Sequence, residues 1–310
     1  MKVAKNILEL VGNTPIIQLS KMTTPEEADI FVKLENFNPG GSVKDRPGIF
    51  MLNKAEEEGV LKKGSIILEA TSGNTGISLA MAASVMGYPV EIVMPENMSE
   101  ERKKLLTLYG AKLILTPAAK GMVGAVETAE QMAKDDGRYF LVKQFENKYN
   151  VLSHENSTGP EILEQMEHNL DAFVCGVGSA GTITGTAKVL KGALPNILVV
   201  AVEPASSAVL SGKPAGSHNI PGIGAGFVPK IFNREYIDRV ITIKDKAAII
   251  ACKELAPKEA LVLGISSGAA VCAAKNLAKE LGPGKRILAI APDGVEKYMS
   301  IDIGGYPVEE

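Results

Sequence analysis

The sequence predicts an α/β protein made of two three-layer α/β/α domains with mostly parallel, twisted sheets. Short runs rich in Val, Ile and Leu alternate with segments of helical spacing along almost the whole chain. These runs are nearly continuous in apolar residues, which is typical of parallel strands that helices cover on both faces. The number of these runs exceeds the number of strands in one ordinary sheet, and the length of 310 residues allows two domains.

The predicted elements follow in order along the chain. The strands are Ile30–Leu34, Ser65–Glu69, Val90–Met94, Lys112–Leu115, Phe140–Lys143, Ala172–Gly176, Ile197–Val202, Val240–Ile243, Leu261–Gly264 and Arg286–Ala291. The helices are Ile77–Met86, Glu100–Tyr109, Met122–Lys134, Gly159–Glu167, Ile183–Leu190, Lys246–Leu255 and Ser267–Leu281. Another helix is predicted to begin near Asp45, with Ser42 as its N-cap, Asp45 completing a capping box and Pro47 in its first turn. The first domain ends near Phe145, and the polar stretch Asn147–Ser157 is predicted to be a connector.

The composition is that of an ordinary globular protein, with 45% hydrophobic and 22% charged residues. A net charge of −3 and the absence of tryptophan give no reason to expect binding to nucleic acid or to an anionic membrane. Cys175, Cys252 and Cys272 match neither a disulfide framework nor a zinc site. The N-terminus lacks a signal-peptide core and the longest apolar stretch, Ile77–Pro95, contains turn residues, so a cytoplasmic protein without a membrane span is predicted.

Lys44 is the first candidate for chemistry, because it follows Gly40, Gly41 and Ser42 where a helix begins. The positive end of a helix dipole disfavours an ammonium group and so favours the neutral amine. A neutral lysine amine attacks carbonyls and can hold an aldehyde cofactor as a Schiff base. An exposed lysine at a helix N-terminus would have the same local sequence, so the interpretation depends on the segments downstream.

The loop Thr71-Ser72-Gly73-Asn74-Thr75-Gly76 connects a predicted strand to a helix. Its backbone N–H groups, three hydroxyls and one amide at a helix N-terminus suit an anion such as a carboxylate. A generic βα turn would explain the two glycines but not the polar side chains between them. The pattern favours a carboxylate site.

The loop Gly176-Val177-Gly178-Ser179-Ala180-Gly181-Thr182 fits G-x-G-x-x-G between an apolar strand and a helix, and Glu203 closes the next strand. These features also satisfy the dinucleotide fingerprint, so an NAD-dependent dehydrogenase using Gly176–Gly181 and Glu203 is the alternative from another class. The same N–H groups bind any phosphate monoester, with the hydroxyls of Ser179 and Thr182 as further donors. Both interpretations require phosphate binding at this loop.

A third glycine-rich loop, Gly222-Ile223-Gly224-Ala225-Gly226-Phe227, lies in the long connector Ser211–Pro229. Connectors of this length are often lids or binding loops. The loop offers neither a cation nor a carboxylate, so it is predicted to face a small or neutral group.

A Schiff-base lysine, a phosphate loop and a carboxylate site together suit a pyridoxal 5'-phosphate enzyme that acts on an amino acid. Over nearly its whole length the sequence resembles the cysteine synthases (O-acetylserine sulfhydrylases) of the fold-type II pyridoxal phosphate enzymes. The matching stretches are Gly12–Pro15, Asn38–Arg46, Thr71–Gly76, Met94–Glu96, Gln144–Asn147, Thr158–Ile162, Gly176–Gly185, Gly222–Pro229 and Gly264–Gly268.

The resemblance implies that Lys44 binds the cofactor covalently and, once released, removes the α-proton of the substrate. It implies that Asn74 hydrogen-bonds the cofactor's ring hydroxyl oxygen. The residues implied to bind the cofactor phosphate are Gly178, Ser179, Ala180, Gly181 and Thr182. Those implied to bind the substrate carboxylate are Thr71, Ser72, Gly73, Thr75 and Gln144.

The implied reaction is β-replacement, in which O-acetylserine loses acetate and adds sulfide to give cysteine. By resemblance the third loop, with Gly224 and Ala225, decides the choice of substrate, and its uncharged residues favour an acetyl ester. The family pattern implies a smaller, mobile substrate-binding domain over residues 41–146. A larger domain over residues 1–40 and 147–310 would bind the cofactor phosphate, with the active site in the cleft between the two.

The partners implied by the resemblance are an amino acid substrate and sulfide or a thiol. The family is usually homodimeric, and some members bind serine acetyltransferase. No metal is expected, since His154, His168 and His218 are not spaced like a metal site and are predicted to be surface or loop residues. The run Glu100–Lys104 is predicted to be a solvated helix face.

The sequence departs from the family most clearly at Gly294, where the family usually has the Ser or Thr that bonds the pyridine nitrogen. Asp293, Ser266 or a water would then fill the role, or the nitrogen has no partner. We hypothesise that this change favours a reaction that consumes cysteine and releases sulfide, forming lanthionine, serine or cystathionine. In the phosphate loop, Ser179 and Ala180 replace the usual Thr and Gly, and the Cβ of Ala180 restricts the backbone.

Overall fold

The computed structural model describes residues 3–298. Its strands are β1 Ile16–Gln18, β2 Asp29–Leu34, β3 Ile66–Ala70, β4 Val90–Pro95, β5 Lys112–Thr116, β6 Tyr139–Leu141, β7 Ala172–Gly176, β8 Leu198–Pro204, β9 Arg239–Ile243 and β10 Arg286–Ala291. Its helices are α1 Asp45–Glu57, α2 Asn74–Met86, α3 Glu100–Leu108, α4 Gly121–Asp135, α5 Lys148–Asn156, α6 Thr158–Gln165, α7 Gly181–Ala193, α8 Asp245–Glu259 and α9 Ile265–Leu281. In the described part of the chain, no helix is both long and apolar enough to span a membrane.

The chain folds into two compact units. Among the described residues, unit 1 comprises residues 3–11, 38–40 and 44–150. Among the described residues, unit 2 comprises residues 12–37, 41–43 and 151–298.

Unit 1 is built on a four-stranded sheet with the order β5-β4-β3-β6, in which every pair is parallel. Successive residues of a strand point to opposite faces, and here both faces are apolar. Ile67 packs into one core with Leu52 of α1 and Leu79 of α2, and Leu68 packs into another with Ala129 of α4. Helices therefore cover this sheet on both sides, as the continuous apolar strands predict.

Unit 2 is built on a six-stranded sheet with the order β1-β2-β10-β7-β8-β9. The strand β1 is antiparallel to β2, and the remaining pairs are parallel. Val200 belongs to the same core as Leu255 of α8 on one face, and Phe173 belongs to the same core as Ile183 of α7 on the other. The predicted α/β class with mostly parallel sheets is confirmed.

Two predictions about the elements are wrong. Leu261–Gly264 is no strand, since it makes only an isolated bridge from Leu263 to Gly294 and leaves Val262 exposed. The segment Asn147–Ser157 is largely the helix α5 and not a connector. Hydrophobic spacing missed this helix because the side chains that it buries, such as Asn150 and His154, are polar.

Candidate active site

Lys44 lies in unit 1 at the N-cap position of α1 and is partly buried. Its carbonyl oxygen accepts hydrogen bonds of 2.9 Å from the N–H of Gly48 and from the hydroxyl of Ser78 on α2. A Cβ on Gly48 would lie 2.2 Å from the Ser78 hydroxyl oxygen, so α1 and α2 approach this closely only with glycine there. The backbone of Lys44 is thereby fixed against α2.

The predicted N-cap of α1 is wrong in detail. Lys44, not Ser42, occupies the N-cap position, and Ser42 belongs to unit 2, where it forms a bridge with Asp293. The Asp45 carboxylate accepts the N–H of Gly40 at 2.6 Å, which closes the turn in front of the helix. Pro47 lies in the first turn as predicted.

The loop of residues 71–76 presents polar groups at the start of α2. The hydroxyl oxygen of the buried Thr71 accepts the N–H of Gly73, the N-cap residue, at 3.1 Å. The Thr75 hydroxyl donates to Oε1 of Gln144 at 2.7 Å. Asn74, the first residue of α2, is partly buried. The structure thus brings Thr75 and Gln144 together, although 69 positions separate them in the chain.

Arg102 is a residue that the sequence interpretation missed. Its guanidinium donates to the carbonyl oxygen of Ser72 at 3.0 Å and so ties α3 to the loop of residues 71–76. Lys103, the next residue, donates to the carbonyl oxygen of Glu96 at 2.6 Å. The run Glu100–Lys104 is therefore not merely a solvated face, because two of its cations hold backbone carbonyls.

Glu69 is a buried carboxyl group at the end of β3. Burial raises its pKa from the ordinary 4.5 to about 7, against the lowering effect of hydrogen bonds from the backbone of Lys143 and from the backbone and side chain of Gln144. Lys143 has a positive φ of 55°, which is uncommon for a residue other than glycine. The turn that precedes Gln144 is therefore held by Glu69.

Because the folded-state pKa of Glu69 exceeds the unfolded one, its stabilising contribution is complete below about pH 4.5 and is lost as the pH rises through about 7. We expect Glu69→Gln, which cannot ionise, to gain stability relative to the wild type over that range, by an amount on the order of 3 kcal/mol. Urea unfolding of both proteins at pH 5 and pH 8 measures the change. A difference that stays constant between the two pH values would contradict the prediction.

In unit 2 the predicted phosphate loop joins β7 to α7, and the third loop packs against it. The N–H of Gly224 donates to the carbonyl oxygen of Val177 at 2.9 Å. A Cβ on Gly178 would lie 2.3 Å from the carbonyl oxygen of Gly222. The two glycine-rich loops, which are separate in the sequence, therefore form one packed structure that depends on the missing side chain at residue 178.

Ala180 is the N-cap residue of α7 and has a left-handed backbone conformation, with φ 72° and ψ −6°. The Cβ of Ala180 was expected from the sequence to restrict the backbone of this loop. The structure shows this restriction as a positive φ at a residue that is 3% exposed. The loop nevertheless keeps the shape that places Ser179 and Thr182 at the N-terminus of α7.

We expect Ala180→Gly to raise the free energy of unfolding by about 0.5–1 kcal/mol, since glycine adopts positive φ without a steric penalty but loses more entropy on folding. Ala193→Gly, at the exposed end of the same helix, is the control and should lower it. Chemical denaturation of the apoprotein measures both. Equal losses in the two variants would show that Ala180 is not strained.

His154 was expected to be a surface or loop histidine, and this is wrong. It is fully buried on α5. Its Nδ1 lies 2.8 Å from the Thr158 hydroxyl oxygen and its Nε2 lies 3.2 Å from that of Thr182. His154 therefore contacts the predicted phosphate loop through Thr182. No spacing pattern in the sequence indicated this contact.

The Glu203 carboxylate is engaged in hydrogen bonds within the protein and does not lie open to the hydroxyl groups of a ribose. Its buried carboxylate accepts the N–H groups of Leu210 and Ser211 at 2.8 and 3.0 Å and the Ser211 hydroxyl at 2.6 Å. These bonds stabilise the turn that follows β8. The acidic residue of the predicted dinucleotide fingerprint thus has a structural partner of its own, which weakens the dehydrogenase interpretation.

Asp293 and Gly294 lie beside β10, in unit 2. The Tyr298 hydroxyl donates to the buried Asp293 carboxylate. A Cβ on Gly294 would lie 2.0 Å from Oε2 of Glu296, so the Glu296 carboxylate occupies the space of a side chain at residue 294. Burial, with Asp293 nearby, also raises the pKa of the Cys252 thiol to about 11, which disfavours a nucleophilic role for that cysteine.

The third loop contains no charged side chain between Gly222 and Phe227. Gly224 has φ 68°, and a Cβ there would lie 2.7 Å from Nε2 of His218. The same imidazole nitrogen lies 3.0 Å from the Gly224 carbonyl oxygen, and His218 Nδ1 accepts the N–H of Ile220 at 3.3 Å. Ala225 is partly buried beside this fixed glycine.

Each unit, taken by itself, contains groups that suit one part of a pyridoxal phosphate molecule. Lys44 supplies a primary amine on an anchored backbone. The N-terminus of α7 supplies backbone N–H groups that have no acceptor within the helix, together with the hydroxyls of Ser179 and Thr182. When bound, this cofactor supplies an electron sink for negative charge at the α-carbon of an amino acid.

Comparisons with known proteins agree with this chemistry. Residues 7–293 match the family described as "Pyridoxal-phosphate dependent enzyme". A cysteine synthase from Staphylococcus aureus is 47% identical over 300 residues, which cover 96% of this chain and 96% of that protein. The crystal structure of a cysteine synthase from Entamoeba histolytica is 42% identical, with a TM-score of 0.97, and covers 100% of this chain and 93% of its own. A hydrogen sulfide-producing enzyme from Fusobacterium nucleatum is 41% identical, with a TM-score of 0.91, over 96% of this chain and 100% of its own.

Proposed function

We propose, on the premise that this chain belongs to the family of pyridoxal-phosphate dependent enzymes, that it converts O-acetyl-L-serine and sulfide to L-cysteine and acetate. The observation that carries the proposal is the 47% identity to a cysteine synthase over 96% of both chains. The uncharged third loop supports an acetyl ester as the donor, because a phosphorylated serine would need a cation there.

Each group of residues has a role in this reaction. Lys44 binds the cofactor aldehyde covalently, and its released amine takes the proton from the substrate α-carbon. Gly178 to Thr182 bind the cofactor phosphate, and Asn74 bonds its ring hydroxyl oxygen. The substrate carboxylate is bound by the loop of residues 71–75 and by Gln144, whose amide donates hydrogen bonds. Gly224 and Ala225 adjoin the substrate side chain.

A spectrum and a product assay test the proposal together. Purified protein loaded with pyridoxal phosphate should absorb in the visible range, and borohydride should remove that band. With O-acetylserine and sulfide it should form cysteine and acetate in equal amounts. A colourless protein that binds a nicotinamide cofactor tightly would overturn the proposal in favour of the dehydrogenase alternative.

A second candidate, favoured by Gly294, is a β-replacement that consumes cysteine and releases sulfide. The similarity to a hydrogen sulfide-producing enzyme supports it. Without a hydroxyl at residue 294, the partner of the pyridine nitrogen would be Asp293, Ser266, a water or none. Such a change alters the strength of the electron sink and with it the preferred reaction.

If Gly294 sets the preference, Gly294→Ser should raise the ratio of cysteine formation to sulfide release about tenfold, the effect of one hydrogen bond of roughly 1.4 kcal/mol. Gly294→Ala is the matched control, because it adds the Cβ and displaces Glu296 without adding a hydroxyl. Steady-state rates of both reactions measure the ratio. The same change in the serine and alanine variants would assign the effect to the Cβ alone.

Further proposals concern the roles of the two domains, the cellular location, the oligomeric state and a partner enzyme. We propose that residues 41–146 bind the substrate and that residues 1–40 and 147–310 bind the cofactor phosphate. We also propose a cytoplasmic homodimer that can bind serine acetyltransferase. Sedimentation analysis of the purified protein, alone and with that enzyme, tests the last two points.

A further inference from the structure

Glu69 is an unusual residue for its place in unit 1. It lies in β3 between Leu68 and Ala70, both buried, and is itself only 3% exposed. Within residues 3–298 its carboxylate receives hydrogen bonds from N–H groups of residues 143 and 144, and no cation pairs with it. A buried carboxylate without a cation is costly, so an apolar residue would make a more stable strand.

The contacts of Glu69 converge on Gln144. The N–H of Lys143 donates to Glu69 Oε2 at 2.8 Å, and both the backbone and the side chain of Gln144 donate to the same carboxylate. The carbonyl oxygen of Gln144 accepts Nδ2 of Asn150 at 2.8 Å. Gln144 is therefore fixed at its backbone and at its side chain, and it is 6% exposed.

This arrangement also decides which way the Gln144 amide points. The Gln144 side chain donates to the Glu69 carboxyl group, so Nε2 faces Glu69, and Oε1 faces the Thr75 hydroxyl, which donates to it at 2.7 Å. The hydrogen of the Thr75 hydroxyl is then used within the protein. The second hydrogen on Gln144 Nε2 is the side-chain donor left for a bound anion.

We propose that Glu69 is a positioning residue, which holds the Gln144 amide so that its N–H group meets the carboxylate of the amino acid substrate. The inference rests on the proposed function, since it concerns the carboxylate site of that reaction. Glu69 does not touch the substrate and acts through Gln144. The buried Glu69 carboxyl group lowers the stability of the fold. We attribute this loss to its role in orienting the Gln144 amide beside the strained turn at Lys143.

The experiment measures binding of L-alanine, which has no leaving group on its β-carbon, and of L-alaninamide, which lacks the carboxylate. Both are titrated into the cofactor-loaded enzyme and followed by the visible spectrum. The variants are Glu69→Leu, Glu69→Gln, Gln144→Ala and the double variant Glu69→Leu/Gln144→Ala. Glu91→Gln is the matched control, because Glu91 is also buried in this sheet but contacts Lys112 and Tyr139 instead.

We expect Glu69→Leu and Gln144→Ala each to weaken L-alanine binding about ten- to hundredfold, the effect of one charge-assisted hydrogen bond. L-Alaninamide binding should change by less than about twofold, and the double variant should bind L-alanine no more weakly than Gln144→Ala. Glu69→Gln keeps the shape of the side chain and one acceptor, so it should bind L-alanine more tightly than Glu69→Leu does. It also serves as a second variant in case the leucine variant misfolds.

Two results overturn the inference while leaving the proposed function intact. One is an equal loss for L-alanine and L-alaninamide in the Glu69 variants, and the other is additive losses in the double variant. A wild-type enzyme that shows no visible band, or that does not prefer L-alanine to its amide, overturns the proposed function and the inference together.

Discussion

Lys44→Ala is expected to abolish β-replacement, lowering the rate by at least about 10³-fold, because the proposed function makes this residue both the covalent anchor and the proton acceptor. The visible band that borohydride removes should disappear, while the affinity for the phosphate-bearing cofactor falls less. The proposed phosphate site at the N-terminus of α7 does not include Lys44, so we expect phosphate binding to persist. Absorbance after reconstitution and equilibrium dialysis of the cofactor measure the two effects separately.

Lys54→Ala is the control for this experiment. Lys54 lies on the same helix, and its ammonium pairs with Glu57 at 2.5 Å near the surface. It should keep the band and the activity of the wild type. Retention of the borohydride-sensitive band in Lys44→Ala would show that another lysine carries the cofactor, and the proposed roles of unit 1 would then have to be assigned anew.

The fold could be predicted from the sequence because its cause is local. Each buried strand is a run of apolar residues, and each run meets helices on both faces, so Ile67 and Leu68 lie in different cores although they are neighbours in the chain. The glycine-rich loops could be found for a similar reason, since each follows a strand and precedes a helix. Where the buried residues are polar, as in α5, the same reasoning failed.

The parts of the site that could not be predicted are pairs of polar groups distant in sequence. Glu69 and Lys143 are separated by 74 positions, Arg102 and Ser72 by 30, and His154 and Thr182 by 28. A hydrophobic period reports which face of an element is buried but not which donor meets which acceptor. Motifs therefore predicted candidate ligand-binding groups, whereas the residues that contact those groups, such as Glu69, Arg102 and His154, appeared only in the structure.

Gly178→Ala is expected to weaken binding of pyridoxal phosphate about tenfold to hundredfold, the effect of roughly 1–3 kcal/mol of overpacking. The new Cβ would lie 2.3 Å from the Gly222 carbonyl oxygen, a backbone atom that no rotamer change can move. Either the third loop moves away and breaks the bond from Gly224 N–H to Val177, or the phosphate loop shifts. Fluorescence titration with pyridoxal phosphate and with pyridoxal measures the loss, which should be larger for the phosphorylated form.

Gly192→Ala is the control, because a Cβ at residue 192 meets no atom within 4 Å and lies in the same helix. It should leave cofactor binding unchanged. Ala180→Gly should not rescue Gly178→Ala, since residue 180 is strained by its backbone angle whereas residue 178 lacks room for any side chain. A rescue, or a Gly178→Ala variant that binds both ligands like the wild type, would mean that the contact with Gly222 does not shape the phosphate site.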